Sequence, residues 1–245
     1  MINLTVRRPA ARNPRILAAA FALGLLAFAA DAFDPAAPAG QVLTALISSG
    51  LAWGLAAFLA GRRAADHRSA VHGATVLLIS ATLVYYLLIL VVSRRWSGGY
   101  LADGSSADLY GLRSLAIMTA AWLVASLIAG PMLGLLGHRT RTTQTTGSAL
   151  AAGIACGLLS GQGWQEIAAA PPWVFLAAAA DGEVAPGFLA AKLIQVILPL
   201  AIGAWLAHVQ RLWRAWPTLL IAMISTAALT ALLWQLLRVA ANRFG

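Results

Sequence analysis

GATVLLISATLVYYLLILVVS, residues 73–93, holds neither a charged residue nor a proline. As a helix rising 1.5 Å per residue it is about 31 Å long, close to the thickness of a bilayer's hydrocarbon core. Irregular chain in lipid would strand its backbone N–H and C=O groups, so a run this long and apolar reads as a transmembrane helix. A barrel strand would alternate apolar and polar residues over about 10 positions, and this run does not alternate.

Six more runs follow the same pattern. Spans are predicted over 16–33, 41–61, 73–93, 114–136, 148–167, 188–207 and 218–237. The remaining composition agrees. Of 245 residues, 60% are hydrophobic and 10% charged, with a mean hydropathy of +0.80. A soluble domain carries about 25% charged residues, so a soluble enzyme, a disordered chain and a disulfide scaffold are excluded. The lone Cys156 rules out an intrachain disulfide or a cysteine-based metal cluster. The fold class expected is an all-α polytopic bundle of seven spans, a single domain over 16–237. A basic cytoplasmic tail, 1–15, precedes it and a short external tail, 238–245, follows.

The net charge of +9 suggests topology rather than nucleic acid, because the positives are dispersed between apolar runs. Arg7, Arg8, Arg12 and Arg15, then Arg62, Arg63 and Arg68, then Arg139 and Arg141, then Arg211 and Arg214 fall on one side. Arg94, Arg95, Arg113, Arg238 and Arg243 fall on the other, with Asp34, Asp103, Asp108, Asp181 and Glu183. The arginine-rich side should be cytoplasmic, which puts the N-terminus inside and the C-terminus outside a cell (inner or plasma) membrane. The basic tail, first run and Ala27-Phe28-Ala29 also fit a secretory signal, whose removal would leave six spans. Retention is favoured because the run continues through Ala30 to Asp31.

Tryptophan prefers the membrane–water boundary. Trp96, Trp164, Trp173 and Trp234 fit one boundary and Trp205, Trp213 and Trp216 the other, whereas Trp53 and Trp122 lie deeper. Those two share a context. WGLAAFLAG at 53–61 matches WLVASLIAG at 122–130 in its Trp, both Ala and final Gly, which suggests parallel helix-hairpin repeats of the kind that build transporters. Chance similarity in an Ala/Leu-rich chain is the alternative.

Gly153, Gly157 and Gly161 recur every four residues and line one helix face with bare backbone. Gly130, Pro131, Gly134 and Gly137 do similar work one span earlier, where Pro131 removes a backbone donor. Small residues let helices approach where lipid supplies no hydrophobic drive. Packing within the bundle is the plainer reading and homodimerisation the alternative.

The polar residues of the spans collect near the external boundary. Asp31, Tyr85, Arg94, Arg113, Gln162, Glu166, Lys192 and Gln195 form a candidate polar pocket. Gln162 and Glu166 are an i,i+4 pair, and Lys192, Gln195 and Pro199 share a face. An ion within a membrane span is costly and calls for a partner, so Glu166 or Asp31 is expected to pair with Lys192. Taken singly, these charges also fit snorkelling to headgroups. His67, His72, His138 and His208 belong to the wet basic rim, with no metal-ligand spacing. No Walker loop or GxSxG elbow is present. No cofactor or metal is expected.

Trp53, Phe58, Gly61-Arg62, Tyr85-Tyr86, Trp122, Gly130-Pro131, Gly134 and Gly137 together resemble a family of small, mainly actinobacterial polytopic membrane proteins, a domain of unknown function. The resemblance spans about residues 42–141. It implies a membrane protein without an assigned activity, so it transfers no catalytic residue. The expected function is a small transporter or substrate-binding membrane subunit with an outward-facing polar pocket. The alternatives are an intramembrane enzyme acting on a lipid or isoprenoid, with Asp31 or Glu166 as general acid, or a non-catalytic immunity or assembly protein. Expected partners are the lipid bilayer, a small-molecule or lipid ligand, and a protein partner or second copy, but no nucleic acid.

Overall fold

The computed structural model describes residues 14–32, 37–100, 104–171, 173–174, 177 and 186–244. Residues 1–13 of the expected basic tail, with Asp34, Asp103, Asp181 and Glu183, lie outside the described residues, and Pro14 and Arg15 of that tail open the first helix. Eight α-helices and no strand are present among those described. They are α1 (Pro14–Ala30), α2 (Pro38–Ser48), α3 (Leu51–Arg63), α4 (His67–Leu88), α5 (Asp108–Thr142), α6 (Thr145–Ala169), α7 (Pro186–Val209) and α8 (Trp216–Phe244). The protein is an all-α helical bundle.

Burial is inverted relative to a water-soluble bundle. Many of the tightest interior positions are small: Ala20, Ala27, Ala57, Ala74, Ala81, Ala149 and Ala152 are fully shielded, alongside a few large side chains such as Phe58 and Leu206. Large apolar side chains point outward, with Ile221, Ile224, Leu229, Leu232, Leu233 and Leu236 all exposed along α8. Such a surface would drive association in water but is the natural exterior of a chain in lipid. This is a membrane protein.

Four helical segments are individually long and apolar enough to cross a bilayer: His67–Ser93, Asp108–Thr142, Leu189–Val209 and Leu212–Leu236. The pair α2–α3 makes a fifth if its two arms count as one span. Among the described residues, length and apolarity by themselves thus identify four spans, or five with that pair counted as one. The expected first span is the short helix α1. The expected fifth span, α6, is long, but Gly, Ser and Gln interrupt its apolar residues, and they can do so because other helices cover it. Its buried positions run from Ser148 to Gln165.

The expected second span is not one helix. It breaks between Ser48 and Leu51, and its arms are bent by 54°. Gly50 sits at the break with φ +73°, a left-handed conformation that costs glycine nothing. The carbonyls released by the break are taken up locally. Ser49 Oγ donates to the Leu46 carbonyl at 2.7 Å, and Trp53 Nε1 donates to the Ile47 carbonyl at 3.0 Å.

The arms belong to different halves of the molecule. α3 packs with α4 and α5, and α1 leans on α4, whereas α2 reaches across to α7. The second half is α6 with α7 and α8. Near the ends of α3 and α7, Phe58 with Ala149, Ala152, Leu206 and Leu212 closes the two halves together. At the other end the broken span bridges them.

The glycine stripes explain the closest crossings. A Cβ on Gly157 would lie 2.5 Å from the Met223 carbonyl oxygen, and one on Gly153 would lie 2.9 Å from the Ala222 Cβ. On Gly161 it would overlap the Thr230 side chain. This face is occupied by α8 of the same chain. On α5, a Cβ at Gly134 would lie 2.5 Å from the Ala70 carbonyl oxygen and one at Gly130 would lie 2.6 Å from Thr75 Cα. Pro131 sits inside α5 directly beside that contact. α3 and α5 lie side by side, since Cβ atoms on Gly61 and Gly137 would meet Gly134 and Phe58 respectively. The Trp53 and Trp122 segments are therefore both helical and adjacent. One follows a helix break, however, and the other lies within a continuous helix.

Two helices outrun their expected ends. α5 continues to Thr142, so His138 is buried in its last turns rather than on a wet rim, whereas His67, His72 and His208 are exposed. α8 runs to Phe244, through most of the expected tail.

Candidate functional site

Among the described residues, two centres pair an acid with a cation. The first gathers at the C-terminal end of α1. Asp31 Oδ2 accepts the Tyr85 hydroxyl at 2.6 Å and Arg95 Nη1 at 3.0 Å. Asp31 is 12% exposed and Arg95 46%. Arg95 is brought there by a change of helix type. α4 winds into a single π turn, Ile89–Ser93, and Arg94 ends it at φ +47°. The chain then doubles back, with Trp96 Nε1 donating to the Leu90 carbonyl at 3.0 Å, and Arg95 reaches over the end of α1.

The second centre joins α6 to α7. Lys192 Nζ lies 3.6 Å from Glu166 Oε2, and both side chains are about one-fifth exposed. Gln162 Nε2 donates to the other carboxylate oxygen, Oε1, at 3.3 Å. Gln165, one position before Glu166, turns to α8 and donates to Gln235 at 2.8 Å. Gln195 is buried between α7 and α2, where its amide donates to the Ala45 carbonyl at 3.5 Å. Gln41 ties the same two helices by accepting the Gly187 N–H at 3.1 Å.

The expected pair with Lys192 therefore involves Glu166, whereas Asp31 is claimed by Arg95 and Tyr85. Arg94 and Arg113 are exposed and belong to neither ion pair. The eight candidates do not line one pocket. Which helices neighbour each other decides this: Asp31 faces α4, and α7 meets α6.

Each centre nevertheless touches a cavity. The first cavity has a volume near 260 Å³ and is walled by Asp31, Ile47, Trp53, Thr82, Tyr85, Tyr86, Met118 and Trp122. The second, near 520 Å³, lies at the helix break and is largely apolar, with Ser49, Gly50, Leu133, Leu158 and Trp234 in its wall. Gln162 also lines it, linking it to Glu166 and Lys192, and its Oε1 is buried without a hydrogen-bond partner. Trp53, Thr82 and Trp122 belong to both walls. Thr82 and Ser126 hydroxyls meet there at 3.2 Å. Ser126 donates to the Trp122 carbonyl at 2.8 Å, which leaves Thr82 to donate to Ser126.

An aromatic cluster holds the partition in place. Trp53 and Tyr85 meet edge to face at 6.3 Å, and Tyr85 and Tyr86 at 5.0 Å. The residues that sequence reasoning left out are thus Trp53, Thr82, Tyr86 and Trp122 in the cavity walls and Arg95 on Asp31. A signal existed for two of them: Trp53 and Trp122 sit too deep for boundary anchors, and their place in a cavity wall explains why.

At the opposite end a different cluster serves packing. Arg62 Nη1 donates to Thr140 Oγ1 at 3.1 Å, and its guanidinium lies 5.4 Å over the Trp205 ring. Arg141 donates to the Ala64 carbonyl at 2.7 Å. These bonds bind α3, α5 and α7 at the arginine-rich end. No family model, curated protein or solved structure matches the chain.

Proposed function

We propose that this membrane protein binds a small ligand in the paired cavities, as a small transporter or the substrate-binding subunit of one. The observation that carries the reading is the helix break. α2 and α3 part at Ser49–Gly50, and the break lines a 520 Å³ cavity between the two halves of the bundle. Discontinuous helices whose ends face a cavity at the junction of two bundles are how many transporters form a binding site. The two intramembrane acids, Asp31 and Glu166, are each engaged by a cation and a side-chain donor. That arrangement suits holding a structure or a ligand better than delivering a proton, which argues against the lipid-enzyme alternative.

The arginines at the Arg62–Arg141 end favour a cytoplasmic placement of that end, with the N-terminus inside and the Asp31 centre facing out. Membership of the actinobacterial family that residues 42–141 resemble is part of the same proposal. The test uses single cysteines in a Cys156→Ser background. Ser49→Cys and Thr82→Cys should react with a small membrane-impermeant thiol reagent added outside intact cells, and Leu232→Cys, on the lipid-facing side of α8, should not. Failure of both cavity positions to react from either side of the membrane would refute a water-accessible binding site.

A further inference from the structure

We infer that the first cavity is a site for a small organic cation, an amine or quaternary ammonium. This rests on the ligand-binding reading above and names its substrate class. Three features of the cavity converge on that chemistry. Its walls are aromatic on several sides, from Trp53, Tyr85, Tyr86 and Trp122, with Met118 adding a polarisable thioether. Aromatic faces carry negative charge density, and a cage of them is how proteins hold quaternary ammonium groups. Asp31 supplies the one carboxyl group in the wall, and it is mostly buried. The volume, near 260 Å³, exceeds the roughly 150 Å³ cavity that admits benzene.

Arg95 supports the assignment. It is not part of the wall but reaches Asp31 from the turn that follows α4, half exposed, with its guanidinium 3.0 Å from Oδ2. Tyr85 donates to the same oxygen. A cation thus already sits against Asp31, on a long side chain that can withdraw toward water. An entering ammonium would take over that role in the cavity, and Arg95 would close the site when the ligand leaves. An anion would meet a carboxylate and four aromatic rings with no cation in the wall, and a neutral molecule would leave Arg95 in place on Asp31.

The test compares three probes of one shape with the full chain in lipid nanodiscs, using calorimetry against empty nanodiscs. The probes are choline, uncharged 3,3-dimethyl-1-butanol and anionic 3,3-dimethylbutanoate. Choline should bind at least tenfold more tightly than either of the others. Asp31→Asn should weaken choline by tenfold or more, and Arg95→Gln should tighten it several-fold by removing the competing cation. Should Asp31→Asn fail to fold, the wild-type series and Arg95→Gln still decide. Preference for the alcohol or the acid would overturn the cation assignment while leaving a ligand site. Arg95→Gln weakening choline tenfold would overturn it too. Binding of none of the three would overturn the cation site and count against the ligand-binding reading itself.

Discussion

Replacing Lys192 and Glu166 separately and together measures whether the second centre is an ion pair or two independently solvated charges. At 3.6 Å and an effective dielectric constant of about 20, the two charges attract by about 5 kcal/mol. Most of that is offset by lost hydration. Exposed pairs are worth about 0.2–1 kcal/mol, and breaking a fully buried pair costs about 3–5. Side chains about one-fifth exposed fall between those limits. The separation also exceeds the roughly 2.8 Å of a short charge-assisted hydrogen bond, which lowers the figure. Gln162 would still donate to Glu166 if the lysine were gone, so the stranded carboxylate keeps one partner.

Lys192→Met, which retains an apolar stem, should therefore cost about 2 kcal/mol, and Glu166→Gln about 1.5. The double variant should cost about 2, leaving a coupling near 1.5 kcal/mol. Reversible unfolding in mixed micelles, followed by tryptophan fluorescence, gives all four corners of the cycle. Additivity within about 0.5 kcal/mol would show that each ion is satisfied alone and would refute the pair.

Two further outcomes can be read in the same unfolding assay. Gly157→Ala should cost about 2–3 kcal/mol, because its new Cβ would meet the Met223 carbonyl oxygen 2.5 Å away and backbone cannot yield cheaply. Gly147→Ala, whose nearest neighbour is the Thr143 hydroxyl at 3.0 Å, should cost under about 0.5; equal losses would refute the seam. Asp66 caps α4 by accepting the Ser69 N–H at 2.9 Å, and that bond, with the Ser69 hydroxyl, holds its carboxyl below the ordinary range. Its stabilisation should be complete above about pH 4, the unfolded carboxyl value. It should fade as pH falls through the lower folded value. Asp66→Asn should flatten that acid limb of the melting curve, and an unchanged limb would refute the capping role.

The helices were legible because lipid leaves the backbone no other way to satisfy itself. Apolar runs announce that constraint directly, and each of them falls on helix over most of its described length, the second across the break at Gly50. The glycine stripe of α6 was legible as a packing face, and its partner could have been found: Ala222, Thr226 and Thr230 recur every four residues on α8 and meet it. Charge pairing was only half legible. Sequence position places Asp31, Glu166, Lys192 and the arginines at similar depth, but depth does not say which helices are neighbours. Asp31 found Arg95 because α1 packs on α4, a contact no periodicity encodes. The break at Gly50 was hidden for another reason. Ser48-Ser49-Gly50 in an apolar run reads as tolerable helix, and the docking of α2 on α7, which the bend permits, joins segments about 150 residues apart that no local pattern links.

The hydrogen bonds lost at the break show why the cavities persist instead of collapsing. A helix broken in lipid exposes carbonyls that normally accept from the next turn, and leaving them bare costs several kcal/mol each. Here Ser49 supplies a hydroxyl to Leu46, and Trp53 supplies its indole N–H to Ile47. The second of these bonds does more than satisfy a carbonyl. It fixes the indole ring of one of the three residues that wall both cavities, and the edge contact with Tyr85 extends the constraint to a residue holding Asp31. The bent backbone, the aromatic partition and the Asp31 centre are therefore connected through successive contacts. Ligand groups arriving in either cavity would meet walls already in position, and the ordering cost that weakens flexible sites would have been met during folding.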